Sequence, residues 1–412
     1  MNAVDAPIVI VGAGQGGLQL AESLRKEKYQ GDILLIGDEA HAPYTRPPLS
    51  KALLLGEMTV EQLELRNPNA LNKKRIELCL NSRVTAINRA TRELRFLDGG
   101  VQSYSKLALA TGSRARDLPI DGIHLKGVHC LRTLDDVLAI QKQLGSVRHL
   151  TVIGGGFIGL EMAAVARKLG KDVTVLEVGE RLMARVVAPP LSDYFLQLHR
   201  QKGVDVRLNS RAGALRGKEG QVSGVILQDG EVLDTDLVVL GVGIIPNAEL
   251  AEAAGLICDN GIVVDNCGQT SDPDIVACGD CTATLTDSGL RRLESVQNAV
   301  EQAKAAAAAL MGLNKPFSAA PWFWSDQYHI KLQMVGVSAG YEDLVLRGSI
   351  EDEAFSFCYF KDGRLIAIDS VNAPSDHMLG RKLVGNPLVS ISPEQAADKA
   401  YDLARVLDTP LV

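Results

Sequence analysis

With 412 residues, 46% of them hydrophobic and 23% charged, the chain has the composition of a soluble globular protein and is too long for one compact core, so two or three domains are expected. A net charge of −7 argues against nucleic acid as a partner, and no apolar run approaches the roughly 18 residues of a membrane span. The start, MNAVDAPIVIVGAG, lacks a basic leader, and seven scattered cysteines, an odd number, suit reduced thiols in a cytoplasm better than a disulfide framework.

Residues 6–39, APIVIVGAGQGGLQLAESLRKEKYQGDILLIGDE, read as an apolar buried strand, a glycine turn, an amphipathic helix and a second strand ending in acid. Gly12, Gly14 and Gly17 form G-x-G-x-x-G, with Gly16 inside the same turn. The first glycine permits the tight turn, the second lets the backbone approach a pyrophosphate, and the third lets helix and strand pack closely. The anion then sits on the helix N-terminus. Asp38 and Glu39 end the next strand, where a carboxylate accepts from ribose hydroxyls.

KLALATGSRARDLPI is a third apolar strand that stops at Thr111 and Gly112 and leaves the first domain. HLTVIGGGFIGLEMAAVARKLGKDVTVLEVGE then repeats the opening pattern, with Gly154, Gly156 and Gly159 enclosing Phe157 and Ile158, and Glu177 closing the second strand. A carboxylate facing the 2′-hydroxyl suits NAD and repels the extra phosphate of NADP. No basic residue directly follows Glu177, although Arg181 and Arg185 are near, so NADH is the expected cosubstrate. DLVVLGVGIIPN is another strand ending in glycines, Gly243 among them.

GIVVDNCGQTSDPDIVACGDC returns the chain to strand and turn. Its Cys278 and Cys281 admit two readings: a C-x-x-C dithiol, or a strand end where Gly279 turns the chain and Asp280 holds cofactor hydroxyls, with the thiols as bystanders. The second is preferred, although Cys281, near a helix start, would be a somewhat acidic thiol. NAVEQAKAAAAALMG is a strong helix closed by Gly312. From PFSAAPWFWSDQY onward, alternating patterns and a hairpin-like Asp362-Gly363 indicate an α+β C-terminal domain.

The class is therefore α/β with two Rossmann-type units. A discontinuous FAD-binding domain is expected over 1–112 and 246–320, an NAD-binding domain over 113–245 and the C-terminal domain over 321–412. Two dinucleotide sites in one chain suit a flavoprotein that keeps FAD and exchanges NADH. The seven histidines lack metal-ligand spacing, Cys258 and Cys267 belong to no C-x-x-C pair, and no metal site is expected.

The stretches VGAGQGG, RPPLSK, LALATGSRARDLP, LRTLDD, VIGGGFIGLE, GVGIIPN, QTSDPDIVACGDC, ESVQNA and APWFWSDQY resemble, over essentially the whole chain, the FAD-dependent, NADH-using ferredoxin reductases of bacterial oxygenase systems. The resemblance implies a glutathione reductase-like fold. It also implies hydride transfer from NADH to FAD, then single-electron transfer to a [2Fe–2S] ferredoxin that serves a haem monooxygenase or a ring-hydroxylating dioxygenase. By matching motif, Lys51 would lie near the reactive edge of the flavin and pair with Glu161. Arg46, Val84, Ala110, Thr111, Arg132 and Val296 would line the FAD site, Asp280 would hold the ribityl chain, and Pro321 and Trp324 would lie at the flavin's exposed side. Without the family, Lys51 reads as a helix-start lysine and Glu161 as a surface acid.

Trp322 and Trp324 occupy alternating strand positions, from which only one is expected to face the site: Trp324 beside the flavin, Trp322 in packing. An acidic ferredoxin calls for basic residues, for which Lys304, Arg291, Arg292, Arg381 and Lys382 are candidates. Three alternatives remain open: a rubredoxin as acceptor, a disulfide reductase using Cys278 and Cys281, and a non-catalytic FAD- and NAD-binding signalling protein.

Overall fold

The runs IVIV, ILLI and KLAL are apolar without interruption because both faces of the sheet they build are covered. The computed structural model describes residues 6–286 and 289–408. These fall into two compact units, the first made of the chain up to Thr45, Val60–Arg114 and Ile244–Ala319, the second of Arg46–Thr59, Ala115–Gly243 and Ala320 onward.

In the first unit five parallel strands lie in the order Ile275–Ala277, Lys106–Leu109, Ile8–Val11, Ile33–Ile36, Ile76–Cys79. Side chains alternate between two cores, as the period of a strand requires. Ile8, Ile10, Ile33, Leu35, Ala108 and Val276 face the helices Gln15–Lys26 and Val296–Leu310. Val9, Val11, Leu34, Ile36, Leu107 and Leu109 face the other way, toward Leu94 and Ile262. Each such fully buried Val, Leu or Ile contributes roughly 1.5–3 kcal/mol. The helix expected from the alanine-rich run ends at Leu310, and Gly312 takes the left-handed conformation (φ +73°) that closes it.

The second unit repeats this plan with parallel strands in the order Val204–Arg207, Asp172–Leu176, His149–Ile153, Leu237–Leu240, Val128–Cys130. Its C-terminal part is a five-stranded antiparallel sheet, in the order Trp322–Gln327, Ile330–Gly336, Arg364–Val371, Ala354–Lys361, Asp343–Ser349. Lys361 pairs with Arg364 across a two-residue loop in which Asp362 (φ +48°) and Gly363 (φ +68°) both adopt the left-handed region, the chemistry that selects Asp-Gly there. Burial in this sheet goes beyond a single face. Strand Ala354–Lys361 is buried on both faces rather than on one, because Cys358 and Phe360 join the core with Val335 and Ile368 while Phe355 meets Tyr194 of the helix Pro189–Gln201, ring to ring at 5.1 Å.

No helix among the described residues is long and apolar enough to cross a membrane.

Candidate functional site

The first glycine turn is shaped by backbone contact. A Cβ on Gly12 (φ +114°) would stand 2.0 Å from the Ala110 carbonyl oxygen, and one on Gly17 would stand 1.8 Å from that of Gly12. Gly14 differs: a Cβ there would meet nothing within 4 Å. It is the N-cap of helix Gln15–Lys26 and supplies no side-chain cap, so the first-turn N–H groups open onto free space. That cradle fits a pyrophosphate. Gly16 instead faces inward, its would-be Cβ 3.3 Å from Cys278 Sγ.

Asp38, Glu39, Thr111 and Asp280 follow the carboxyl ends of the neighbouring strands, the edge where open α/β sheets bind nucleotides. Asp38 is exposed and Glu39 half-buried, accepting from the Tyr44 hydroxyl at 2.6 Å. Thr111 donates to Asn247 O (2.6 Å) while the Asn247 amide donates back to Thr111 O (2.9 Å), which fixes the strand end ahead of Gly112 (φ +65°). Asp280, half-buried after Gly279 (φ +84°), accepts from Ser113 Oγ at 3.0 Å. Val84 opens the strand Val84–Asn88, and Val296 opens the helix capped by Ser295.

The second turn repeats the design. Would-be Cβ atoms stand 2.3 Å from Gly241 O at Gly154 and 2.1 Å from Gly154 O at Gly159, while Gly156, the uncapped N-cap of helix Phe157–Lys168, faces open space. Ile158 is exposed in the first turn, and the Phe157 ring lies 4.9 Å from that of Phe323. Glu177 accepts from the Gly155 N–H (2.8 Å) and the Gly179 N–H (2.7 Å), so its carboxylate is fixed beside the turn. Arg181 is tied to its own loop through Val187 O, Ser192 Oγ and Ala184 O. Arg185 is exposed, one guanidinium nitrogen 3.7 Å from where Gly243 (φ +98°) would carry a Cβ.

Lys51 and Glu161 are brought together in the second unit. Lys51 follows the short 3-10 turn Pro47–Ser50, and its Nζ donates to Glu161 Oε2 at 2.7 Å. Glu161 is only 2% exposed, not the surface acid that its helix position alone suggests. Ser50 Oγ also donates to Oε2 (2.5 Å), and Ser325 Oγ donates to Oε1 (2.6 Å). A buried carboxylate with a cation and two hydroxyl donors is compensated. Arg46 donates to Arg132 O at 2.9 Å, and Pro321 O accepts from Gly336 N at 2.8 Å.

Trp322 and Trp324 do not divide between two faces. Residues two apart on a strand share a face, and the indoles lie 5.6 Å apart, tilted by 32°. Their surroundings differ. The Arg381 guanidinium sits 4.8 Å over Trp322, and His377 meets its edge at 5.9 Å. Of the other basic candidates, Lys304 pairs with Glu301, Arg292 with Glu294, and Lys382 is exposed on the helix Pro374–Leu383.

Residues 6–303 match the family described as pyridine nucleotide-disulphide oxidoreductase. The chain belongs to that family. Residues 322–407 of this oxidoreductase match a second family, described as reductase C-terminal. It is 45% identical to rhodocoxin reductase of Rhodococcus erythropolis over 96% of this chain and 93% of the relative. Among solved structures it is similar to the ferredoxin reductase for the CYP199A2 system from Rhodopseudomonas palustris, with a TM-score of 0.93, 44% identity and coverage of 97% and 99% of the two chains. The covalent putidaredoxin reductase–putidaredoxin complex gives a TM-score of 0.94, 41% identity and coverage of 98% and 99%.

The family description raises the question of a dithiol, and in this oxidoreductase the geometry weighs against one. Cys278 packs into the core beneath helix Gln15–Lys26, whereas Cys281 packs into the core on the opposite side of the sheet and donates to Cys278 O at 3.3 Å. Both are free thiols, at most 1% exposed. The acidic thiol expected at Cys281 is overturned: burial pushes the pKa of both cysteines up, outweighing the neighbouring polar groups of Thr111 and Gly112 that act to lower that of Cys281.

Sequence reasoning missed the groups that hold Glu161. Ser50, Ser325 and Gln327 lie inside RPPLSK and PWFWSDQY, and the available signal was polar residues at alternating positions of a buried strand, Ser325 being 1% and Gln327 0% exposed. His199 lies on the apolar face of DYFLQLHRQ, a polar residue at a core position.

Proposed function

We infer that the chain is a ferredoxin reductase of an oxygenase system, holding FAD and drawing electrons from NADH. FAD, when bound, would supply the conversion between the hydride of NADH and the single electrons that a [2Fe–2S] acceptor takes. The chain's own residues bind, orient and balance charge. The open turn at Gly14 holds the FAD pyrophosphate, Asp38 or Glu39 its ribose, and Asp280 its ribityl hydroxyls. By matching motif, Arg46, Val84, Ala110, Thr111, Gly112, Arg132, Val296, Pro321 and Trp324 would also bind FAD. Gly156 offers the corresponding cradle to NADH, with Glu177 disfavouring a 2′-phosphate. Lys51 would hold a cation toward the flavin and stabilise negative charge there. In domain terms, 1–112 with 246–320 bind FAD, 113–245 bind NADH, and 321–412 complete the flavin's exposed side. Seven free cysteines support a cytoplasmic location.

The observation that carries this function is the pair of uncapped glycine turns, Gly14 and Gly156, each with open space where a side chain would be. The putidaredoxin complex supports a ferredoxin as the acceptor. The test is NADH-driven reduction of cytochrome c with and without an added [2Fe–2S] ferredoxin, repeated with a rubredoxin and with the double variant Cys278→Ser/Cys281→Ser. Ferredoxin dependence that survives the double substitution is expected. Activity lost with the two thiols would transfer the function to a dithiol reductase, and slow NADH oxidation that no acceptor accelerates would favour a binding protein.

A further inference from the structure

Beyond Glu161 the second unit carries a hydrogen-bonded chain that ends at a strained tyrosine. Ser325 Oγ lies 2.6 Å from Glu161 Oε1, Gln327 Nε2 lies 3.2 Å from Ser325 Oγ, His199 Nε2 lies 2.8 Å from Gln327 Oε1, and Tyr328 Oη lies 3.1 Å from His199 Nδ1. The interior links are sealed from solvent: Ser325, Gln327 and His199 are each at most 1% exposed.

The direction of every link is forced by its end. A carboxylate only accepts, so Ser325 spends its proton on Glu161 and must receive one from Gln327. Only the amide nitrogen of Gln327 donates, so its oxygen faces His199, which must donate from Nε2. Nδ1 is then an acceptor, and the Tyr328 hydroxyl donates to it. Burial holds the His199 pKa down to about 4, which keeps the ring neutral with a single N–H.

Tyr328 supplies an independent indication. It sits in the two-residue turn between Gln327 and Ile330 at φ +58°, a left-handed conformation that hairpins normally give to Gly or Asn. Strain of this kind persists where the surroundings over-determine it, and it clusters at functional sites.

We propose that Tyr328, His199, Gln327 and Ser325 are positioning residues, a polarised relay that presents one fixed donor to Glu161 and thereby fixes the carboxylate that holds Lys51. Because Lys51 and Ser50 both donate to Oε2, Oε1 is left to the relay, and the relay decides the rotation of the carboxylate about its axis. The effect on the reaction rests on the placement of Lys51 at the flavin.

The polarity gives a signature that a merely structural cluster would not show. In Glu161→Gln the amide oxygen must still face Lys51 and Ser50, so its NH₂ turns to Ser325; the buried Ser325 proton, having lost its acceptor, is then donated to Gln327, every link reverses and His199 changes from the Nε2–H to the Nδ1–H tautomer. The experiment is nitrogen-15 NMR of ring-labelled histidine in the FAD-loaded protein, with the His199 signals assigned from His199→Gln, alongside stopped-flow flavin reduction by NADH. Expected are the Nε2–H tautomer in the wild type and its inversion in Glu161→Gln. Gln327→Leu and His199→Phe should lower the limiting reduction rate roughly tenfold with little change in NADH affinity, and His199→Gln, which can donate and accept along the same line, should restore it. A His199 tautomer indifferent to Glu161→Gln, or reduction rates indifferent to His199→Phe while Lys51→Met slows them, overturns the relay. If Lys51→Met itself leaves flavin reduction and the flavin spectrum unchanged, the placement of Lys51 is overturned instead, and tautomer inversion still establishes the coupling.

Discussion

Single residues in this protein are set by their burial more than by their type. Glu161 and Asp369 are both acids that are 2% exposed, with opposite solutions. Glu161 has a cation and two hydroxyls, whereas Asp369 accepts from the Tyr359 hydroxyl, and burial raises its pKa to about 7 against the hydrogen bond that lowers it. The folded protein therefore holds the Asp369 proton more tightly than the unfolded chain does. Its contribution to stability is complete below about pH 3.8 and declines as pH rises to about 7, by roughly 1.4 kcal/mol per unit. His199 and His377, each held down to about 4, act in the opposite sense and lose stability as pH falls from 6.5. The informative quantity is thus a difference between proteins. In urea denaturation Asp369→Asn is expected to gain on the wild type between pH 5 and pH 8; an equal difference at both pH values would refute the assignment. None of this was legible in the sequence, because Asp369 stands in an ordinary-looking strand and only the covering of both sheet faces makes it costly.

At the level of elements, the two strand–turn–helix units were legible almost to the residue. Their glycines are dictated by local backbone contact, which a short motif encodes completely. The structure separates roles that the motif lumps together. Gly159→Val must clash with Gly154 O, where a Cβ would stand 2.1 Å away, and should yield little folded protein. A Cβ at Gly156 meets no protein atom within 4 Å, so Gly156→Val should fold and retain FAD. It should nevertheless raise the KM for NADH roughly tenfold to a hundredfold by displacing charge-assisted hydrogen bonds worth about 1.5–3 kcal/mol. Circular dichroism, flavin content and steady-state kinetics on the two variants distinguish them; a Gly156→Val protein with unchanged KM would remove the cradle from the NADH site. The tryptophan pair was misread at this same level, since alternate strand positions share a face.

For the whole molecule, fold class and family were readable because long motifs run through the entire chain, while the Lys51–Glu161 pair required a resemblance, its partners lying 110 positions apart. Partner recognition belongs at this scale too. Arg381 is exposed while its guanidinium lies over Trp322, a cation available to an acidic partner. Arg381→Glu is expected to lower kcat/KM for ferredoxin several-fold at low ionic strength, with the deficit closing at high salt as charges are screened. Direct reduction of ferricyanide by NADH should be unchanged, and a deficit insensitive to salt would remove Arg381 from the docking surface.

The short segment Arg46–Thr59 belongs to the second unit although the chain on either side of it belongs to the first. During synthesis, Lys51 leaves the ribosome long before Glu161 exists and longer still before Ser325 does. The first unit is likewise incomplete until Ala319 is made. Neither unit is therefore complete before Ala319 has been made. A ribosome that stops early releases a chain with neither unit finished, a substrate for proteolysis instead of a half-assembled reductase able to leak electrons.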